Sequence, residues 1–223
     1  ALPICLDRHV ATRGDQAALI CPWASRTLIA RKLKGLESVV SLSIVEPELT
    51  DQGWRFAAGG DAVNGATYMH QIYTKADPAV NGRATVPVLW DKVTGTIVNN
   101  ESADILRMFN TGFGALAQGP DLYPSDLATE IDALNDAIYP TLNNGVYRAG
   151  FATTQNAYED AVHDVFATLD ALAKAGPALG PRAAGLHAER RRAVLCHWGR
   201  QLCEGQAQLC HHQHRQHLHP ERE

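Results

Sequence analysis

Apolar positions follow a two-residue rhythm in the first half of this chain and a helical rhythm in the second. Ala17-Ala18-Leu19-Ile20 reads as the end of a buried strand, and Thr27 to Lys34, closed by Gly35, reads as a helix. From Ser38 to Val45, Val39, Ser41 and Ser43 alternate with Val40, Leu42 and Ile44. That alternation predicts a strand with one buried face, ended by Pro47. Residues 46–84 form a long, Gly-rich connection with Trp54, Phe56 and a short helix over Tyr68–Tyr73. Val88–Trp90 and Thr96–Val98 then predict two strands around a turn at Gly95. Ile105, Leu106 and Phe109 mark one side of a further helix, for which Ser102, Asn100 or Asn99 supplies the cap.

Gly112 to Pro124 contains three glycines and two prolines and breaks every periodicity. Beyond it Leu127, Ile131, Leu134 and Ile138 recur at helical spacing, with Pro140 as the stop. After a loop over Leu142–Phe151 the rhythm resumes at Tyr158, Val162, Val165, Leu169 and Leu172. The expected organisation is an α/β thioredoxin-like domain over 1–112, a linker over 113–124 and an all-α domain over 125–175. The first strand–helix–strand unit is expected to form a parallel pair.

Composition narrows the partners. Of 223 residues 45% are apolar, and the net charge is −4. Nothing in that balance asks for nucleic acid or an anionic membrane. No apolar run approaches the ~18 residues of a membrane span, and no signal-peptide pattern stands at the start. Five cysteines, at 5, 21, 196, 203 and 210, do not make a disulfide framework. They suit a reducing, cytoplasmic setting.

The candidate chemistry lies in Cys21-Pro22-Trp23-Ala24-Ser25-Arg26, where a strand turns into a helix. Pro22 fits the first helical position because its missing N–H has no partner to lose there. Helix starts favour negative charge, so a cysteine held there tends towards thiolate, the reactive form. Ser25 replaces the second cysteine of a Cys-x-x-Cys pair. An oxidised or adducted Cys21 therefore needs a thiol from outside, which points to mixed-disulfide chemistry with a small thiol. The bland alternative is a buried cysteine with no task. Trp54 either covers a ligand or anchors its loop. The N–H groups near Asn99–Ser102 either hold a ligand carboxylate or are simply capped. A cis bond before Pro87 would turn the Val86 backbone towards a bound peptide, although most such bonds are trans.

Several blocks together resemble the glutathionyl-hydroquinone reductases, the Xi-class glutathione transferases. They are Cys21–Ile29, Thr85–Lys92, Ile97–Ala103, Asp121–Pro124, Ile131–Asn135 and Asn143–Ala152. The Asn143–Ala152 block separates this family from omega-class relatives. The resemblance implies a glutathione-transferase-like helical domain after the thioredoxin-like one, and a homodimer. It implies Cys21 as nucleophile and Tyr147 as proton donor at an aromatic substrate. It implies Trp54, Arg83, Thr85, Val86, Pro87, Glu101 and Ser102 as the glutathione site. Glutathione is then the co-substrate, no metal is needed, and the substrates are glutathionyl-hydroquinones. An omega-like thiol transferase and a non-catalytic glutathione-binding module are the alternatives.

The likeness stops near Lys174. Residues 176–223 hold seven of the ten histidines and three of the five cysteines. Three readings fit this stretch: a shifted reading frame, a metal site from Cys196, Cys203, Cys210, His211, His212 and His214, or a variant helix with leucines seven apart. The cysteine spacing is wider than zinc pairs use.

Overall fold

The computed structural model describes residues 8–13 and 21–175. The chain divides into two compact units, Ala1–Ser125 and Asp126–Glu223.

In the first unit β1 (Arg8–Arg13) leads to α1 (Pro22–Leu33) and then β2 (Val40–Thr50), which pairs in parallel with β1. Next come β3 (Gly53–Phe56), α2 (Met69–Ala76), β4 (Val88–Asp91), β5 (Thr96–Asn99) and α3 (Ser102–Thr111). The sheet order is β3-β2-β1-β4-β5, and every pair except β1–β2 is antiparallel. This is a thioredoxin-like arrangement.

Pro22 occupies the first turn of α1, and Cys21 is the N-cap residue with extended backbone, φ −110° and ψ 100°. The helix closes at Gly35, whose φ of +64° an L side chain rarely adopts. There the N–H groups of Lys34, Gly35 and Leu36 return to the carbonyls of Ala30, Lys32 and Arg31.

Arg8–Arg13, where the sequence shows no periodicity, forms a strand; the strand end expected over Ala17–Ile20 lies outside the described residues. Three expectations are corrected in this unit. β2 does not stop at Pro47. Its register with β3 shifts between Val45 and Leu49, so an N–H at position 47 is not required. The 46–84 connection contains a strand, β3. Finally, the sheet buries both faces rather than one. Val45, Phe56, Val88 and Trp90 pack with Met69 and Ile72 of α2. Val40 and Leu89 pack on the other face with Ala30 of α1 and Ile105 and Phe109 of α3. Ser43 is buried while Ile44 is 37% exposed, because the Ser43 hydroxyl donates to buried Asp61 Oδ1 at 2.8 Å.

Residues 113–124, expected as a linker, lie within this first unit. Phe113 is buried in the α1–α3 core. Lys34 Nζ donates to the Pro120 carbonyl at 3.0 Å, and Gln118 N–H donates to the Lys34 carbonyl at 2.8 Å. Gly119 has φ +84°, and a Cβ there would lie 2.1 Å from the Leu33 carbonyl oxygen.

The second unit holds α4 (Ala128–Ile138), a π-helical turn (Tyr139–Asn143), α5 (Gly145–Gly150) and α6 (Gln155–Ala175). α4 ends at Ile138, two residues before Pro140 as expected, and Pro140 sits in the first turn of the π segment that follows, where no N–H is needed. Part of the expected 142–151 loop is helix α5. Gly145 makes this possible, since a Cβ there would come 2.7 Å from Val165 Cγ2 of α6. Arg148 and Asp164 tie the same two helices at 2.9 Å. No described helix is long and apolar enough to cross a membrane. The cysteine–histidine stretch after residue 175 lies outside the described residues. Among the described residues, 8–13 and 21–175, no cluster fit to hold a metal ion occurs.

Candidate active site

The thiol of Cys21 is set by two elements. The N-terminus of α1 fixes its backbone, and the segment before β4 brings the Val86 carbonyl to 3.9 Å from Sγ. Cys21 retains 8% exposure and Val86 7%. The Val86–Pro87 peptide is cis. No side chain caps α1, whose positive pole favours an anionic neighbour. Position 25 carries a hydroxyl, not a second sulfur.

Aromatic residues pack around this point. Trp23, Trp54 and Tyr73 lie against the apolar cluster that includes Cys21, Val86 and Trp90. Trp54 is half-buried on β3. Thr85 is exposed and adjoins Val86, and Arg83 is exposed on the same loop.

The start of α3 makes the second group. Its N-cap is Glu101, whose Oε1 accepts the Ala103 N–H at 3.2 Å. That corrects the expectation of Ser102, Asn100 or Asn99 as the cap. A carboxylate at this end also meets the positive pole of the helix. Asn99 Oδ1 instead accepts the Glu101 N–H at 2.6 Å. Ser102 is buried, and Arg26 reaches it from α1. Arg26 Nε and Nη2 donate to Ser102 Oγ at 3.0 and 2.6 Å, and Nη2 lies 3.5 Å from Glu101 Oε1. The guanidinium sits 4.7 Å from the Trp23 ring centre. Two N–H donors occupy the acceptor positions of Ser102 Oγ, and its hydrogen donates to Glu101 Oε1 at 3.3 Å.

Sequence reasoning missed Arg26, Trp23, Tyr73 and Asn100. Trp23 and Arg26 are three apart and therefore share one face of α1, a signal present in the hexapeptide itself. No local spacing announces Tyr73 or Asn100. The structure brings together Cys21, Val86, Pro87 and Trp54 in one group, and Glu101 and Ser102 in another that α1 joins through Arg26. Tyr147 is half-buried on α5 of the second unit.

The comparisons fit this geometry. The glutathione S-transferase N-terminal domain family matches residues 20–111. The glutathionyl-hydroquinone reductase PcpF of Sphingobium chlorophenolicum is 52% identical over 159 residues, 69% of this chain and 51% of its own length. The Xi glutathione transferase ECM4 of Saccharomyces cerevisiae, solved with glutathione, superposes with a TM-score of 0.72 at 34% identity, covering 86% of this chain and 67% of its own. The chain belongs to the Xi-class glutathione transferases. Glutathione-bound YqjG of Escherichia coli K-12 resembles this Xi-class chain with a TM-score of 0.71 at 50% identity, over 76% of this chain and 56% of its own. The Xi-class chain spans about half the length of the curated relatives it matches.

Proposed function

We propose that the protein reduces glutathionyl-hydroquinones to hydroquinones with glutathione as co-substrate. The observation that carries this is the placement of the Cys21 thiol at the start of α1, where no side chain caps the helix, and 3.9 Å from the Val86 carbonyl. Arg26 lies five residues along the same helix, about 7.5 Å by helical rise. It holds Ser102 and Glu101. A γ-glutamyl-cysteinyl unit, whose γ-link is longer than an α-peptide's, reaches at least about 7 Å, the span of two extended residues, enough to match that rise. In this reading Glu101 takes the glutamyl ammonium and Ser102 the carboxylate. Val86, beside Pro87, pairs with the cysteinyl backbone, flanked by Arg83 and Thr85. Trp54 packs on the tripeptide.

The chemistry then balances in two steps. Cys21 thiolate attacks the glutathione sulfur of the substrate; an S–S bond forms and the aryl C–S bond breaks. Its electron pair passes to the ring carbon, which takes a proton from Tyr147 and leaves as hydroquinone. A glutathione thiolate next attacks the mixed disulfide, frees Cys21 thiolate and leaves as glutathione disulfide. The proton of that incoming thiol returns to Tyr147. The ring carbon gains two electrons and the two glutathione sulfurs together lose two. Ser25 supplies no resolving thiol, so the second glutathione is obligatory. The homodimer and the reducing compartment belong to the same proposal.

Mass spectrometry after exposure to glutathione disulfide, with turnover of a glutathionyl-hydroquinone, tests it. A glutathione adduct on Cys21 that excess glutathione removes is expected, and Cys21→Ala and Cys21→Ser should lose turnover. Full turnover by Cys21→Ser would refute the nucleophile.

A further inference from the structure

One hydroxyl joins the two backbone segments between which the tripeptide is placed. Tyr73 Oη on α2 donates to the Thr85 carbonyl at 3.2 Å and accepts the Thr85 N–H at 3.3 Å. It also accepts Asn100 Nδ2 at 3.0 Å. A phenolic hydroxyl has one hydrogen and two acceptor positions, so these three bonds fill its capacity. The Thr85 hydroxyl lies within reach too, 3.1 Å from Tyr73 Oη and 3.5 Å from Asn100 Nδ2. Thr85 adjoins Val86, and Asn100 adjoins Glu101. The Tyr73 ring packs on the apolar cluster that includes Cys21 and Val86, which holds the hydroxyl in place.

We infer that Tyr73 is a positioning residue that locks the spacing between Val86 and Glu101, and so tunes affinity for the γ-glutamyl-cysteinyl unit. The inference rests on the glutathione reading above. A loop stabiliser without this role would lower melting temperature and leave ligand affinity alone. A clamp preorganises the two ends, so its loss appears chiefly in binding. Asn100 acts chiefly through the same oxygen, its contact with the Thr85 hydroxyl being long at 3.5 Å, so its removal should add little once the Tyr73 hydroxyl is gone.

The test uses the full chain. Tyr73→Phe keeps the ring and deletes only the hydroxyl. Its glutathione Kd by titration calorimetry should rise about fivefold, the size expected for lost hydrogen bonds that order a site. KM for glutathione should rise more than kcat falls, with a glutathionyl-hydroquinone as the second substrate. Amide exchange at Thr85 should quicken with no ligand present. Tyr73→Phe combined with Asn100→Ala should bind like Tyr73→Phe alone, and Asn100→Ala serves as the test if Tyr73→Phe fails to fold. Wild-type affinity in Tyr73→Phe, or additive losses in the pair, would overturn the clamp. If the wild type itself ignores glutathione, the functional reading falls and the clamp falls with it; a wild type that binds while Tyr73→Phe binds equally well overturns the clamp alone.

Discussion

Replacing Arg26 by Met tests how the site recognises one end of its ligand. Methionine keeps most of the aliphatic stem of the side chain and removes the guanidinium. Lost with it are two hydrogen bonds to buried Ser102 Oγ, at 2.6 and 3.0 Å. Charge-assisted bonds of this kind contribute about 1.5–3 kcal/mol. The Arg26–Glu101 contact, at 3.5 Å with side chains 31% and 56% exposed, is screened by solvent; it contributes about 0–1 kcal/mol. The stacking on Trp23 is worth about 0.5–1 kcal/mol at such a site. Ser102 still reaches Glu101 Oε1 at 3.3 Å, which offsets part of the loss. Most of this is folded-state stability; the part that orients Ser102 and Glu101 for the ligand should appear in binding as about 1–2 kcal/mol, roughly five- to thirtyfold in the glutathione Kd. Titration calorimetry of Arg26→Met with glutathione, and with the dipeptide Cys-Gly as control, measures it. Cys-Gly lacks the glutamyl residue and should bind wild type and variant alike. Equal losses for both ligands, or none for glutathione, would refute the argument that Arg26 works through Ser102 and Glu101.

Three further expectations follow from named contacts. Gly119→Ala combines a φ of +84° with a Cβ 2.1 Å from the Leu33 carbonyl oxygen; a loss of about 1–3 kcal/mol in urea unfolding is expected, and an unchanged midpoint would contradict it. The Asn110 side chain and then the Tyr123 N–H hold the Asp121 carboxyl below its ordinary range. A depressed folded-state pKa stabilises above the unfolded value, about 3.9, and that stabilisation fades as pH falls towards the folded value. Asp121→Asn should therefore be less stable than wild type near neutral pH and converge on it in acid; a gap independent of pH would refute this. Tyr147→Phe should slow hydroquinone release more than it weakens glutathione binding, read by single-turnover kinetics; equal losses would argue against a proton donor.

The thioredoxin-like order was readable because its elements carry local signals. Pro22 and Gly35 bracket α1, and the β4–β5 hairpin turns at Gly95 where its spacing says it should. What stayed hidden depends on partners distant in the chain. β1 reads Arg8-His9-Val10-Ala11-Thr12-Arg13 and shows no apolar face; pairing on both edges makes it a strand. Pro47 looked like a stop, but a register shift accommodates it. α5 looked like a loop because Asn143-Asn144-Gly145 is turn chemistry, and only the close approach to Val165 reveals why glycine stands in a helix. Within the candidate site, Cys21 is marked by its place at a helix start, whereas Glu101 and Ser102 rest on the family resemblance. Arg26 lay in plain view in the motif, yet its reach of 76 positions to Ser102 is a tertiary fact.

The two-sided sheet bears on where the chain tolerates added length. Leu89 fills one core while its neighbours Val88 and Trp90 fill the other. One residue inserted within β4 would swap those contents and expel the indole from its niche. Residues 78–81 are exposed and lie ahead of Arg83 and the Thr85 contacts. Epitope tags or reporter peptides grafted there leave strand parity untouched, so this loop is the natural place to label the protein without touching the Arg83–Pro87 segment proposed to hold glutathione.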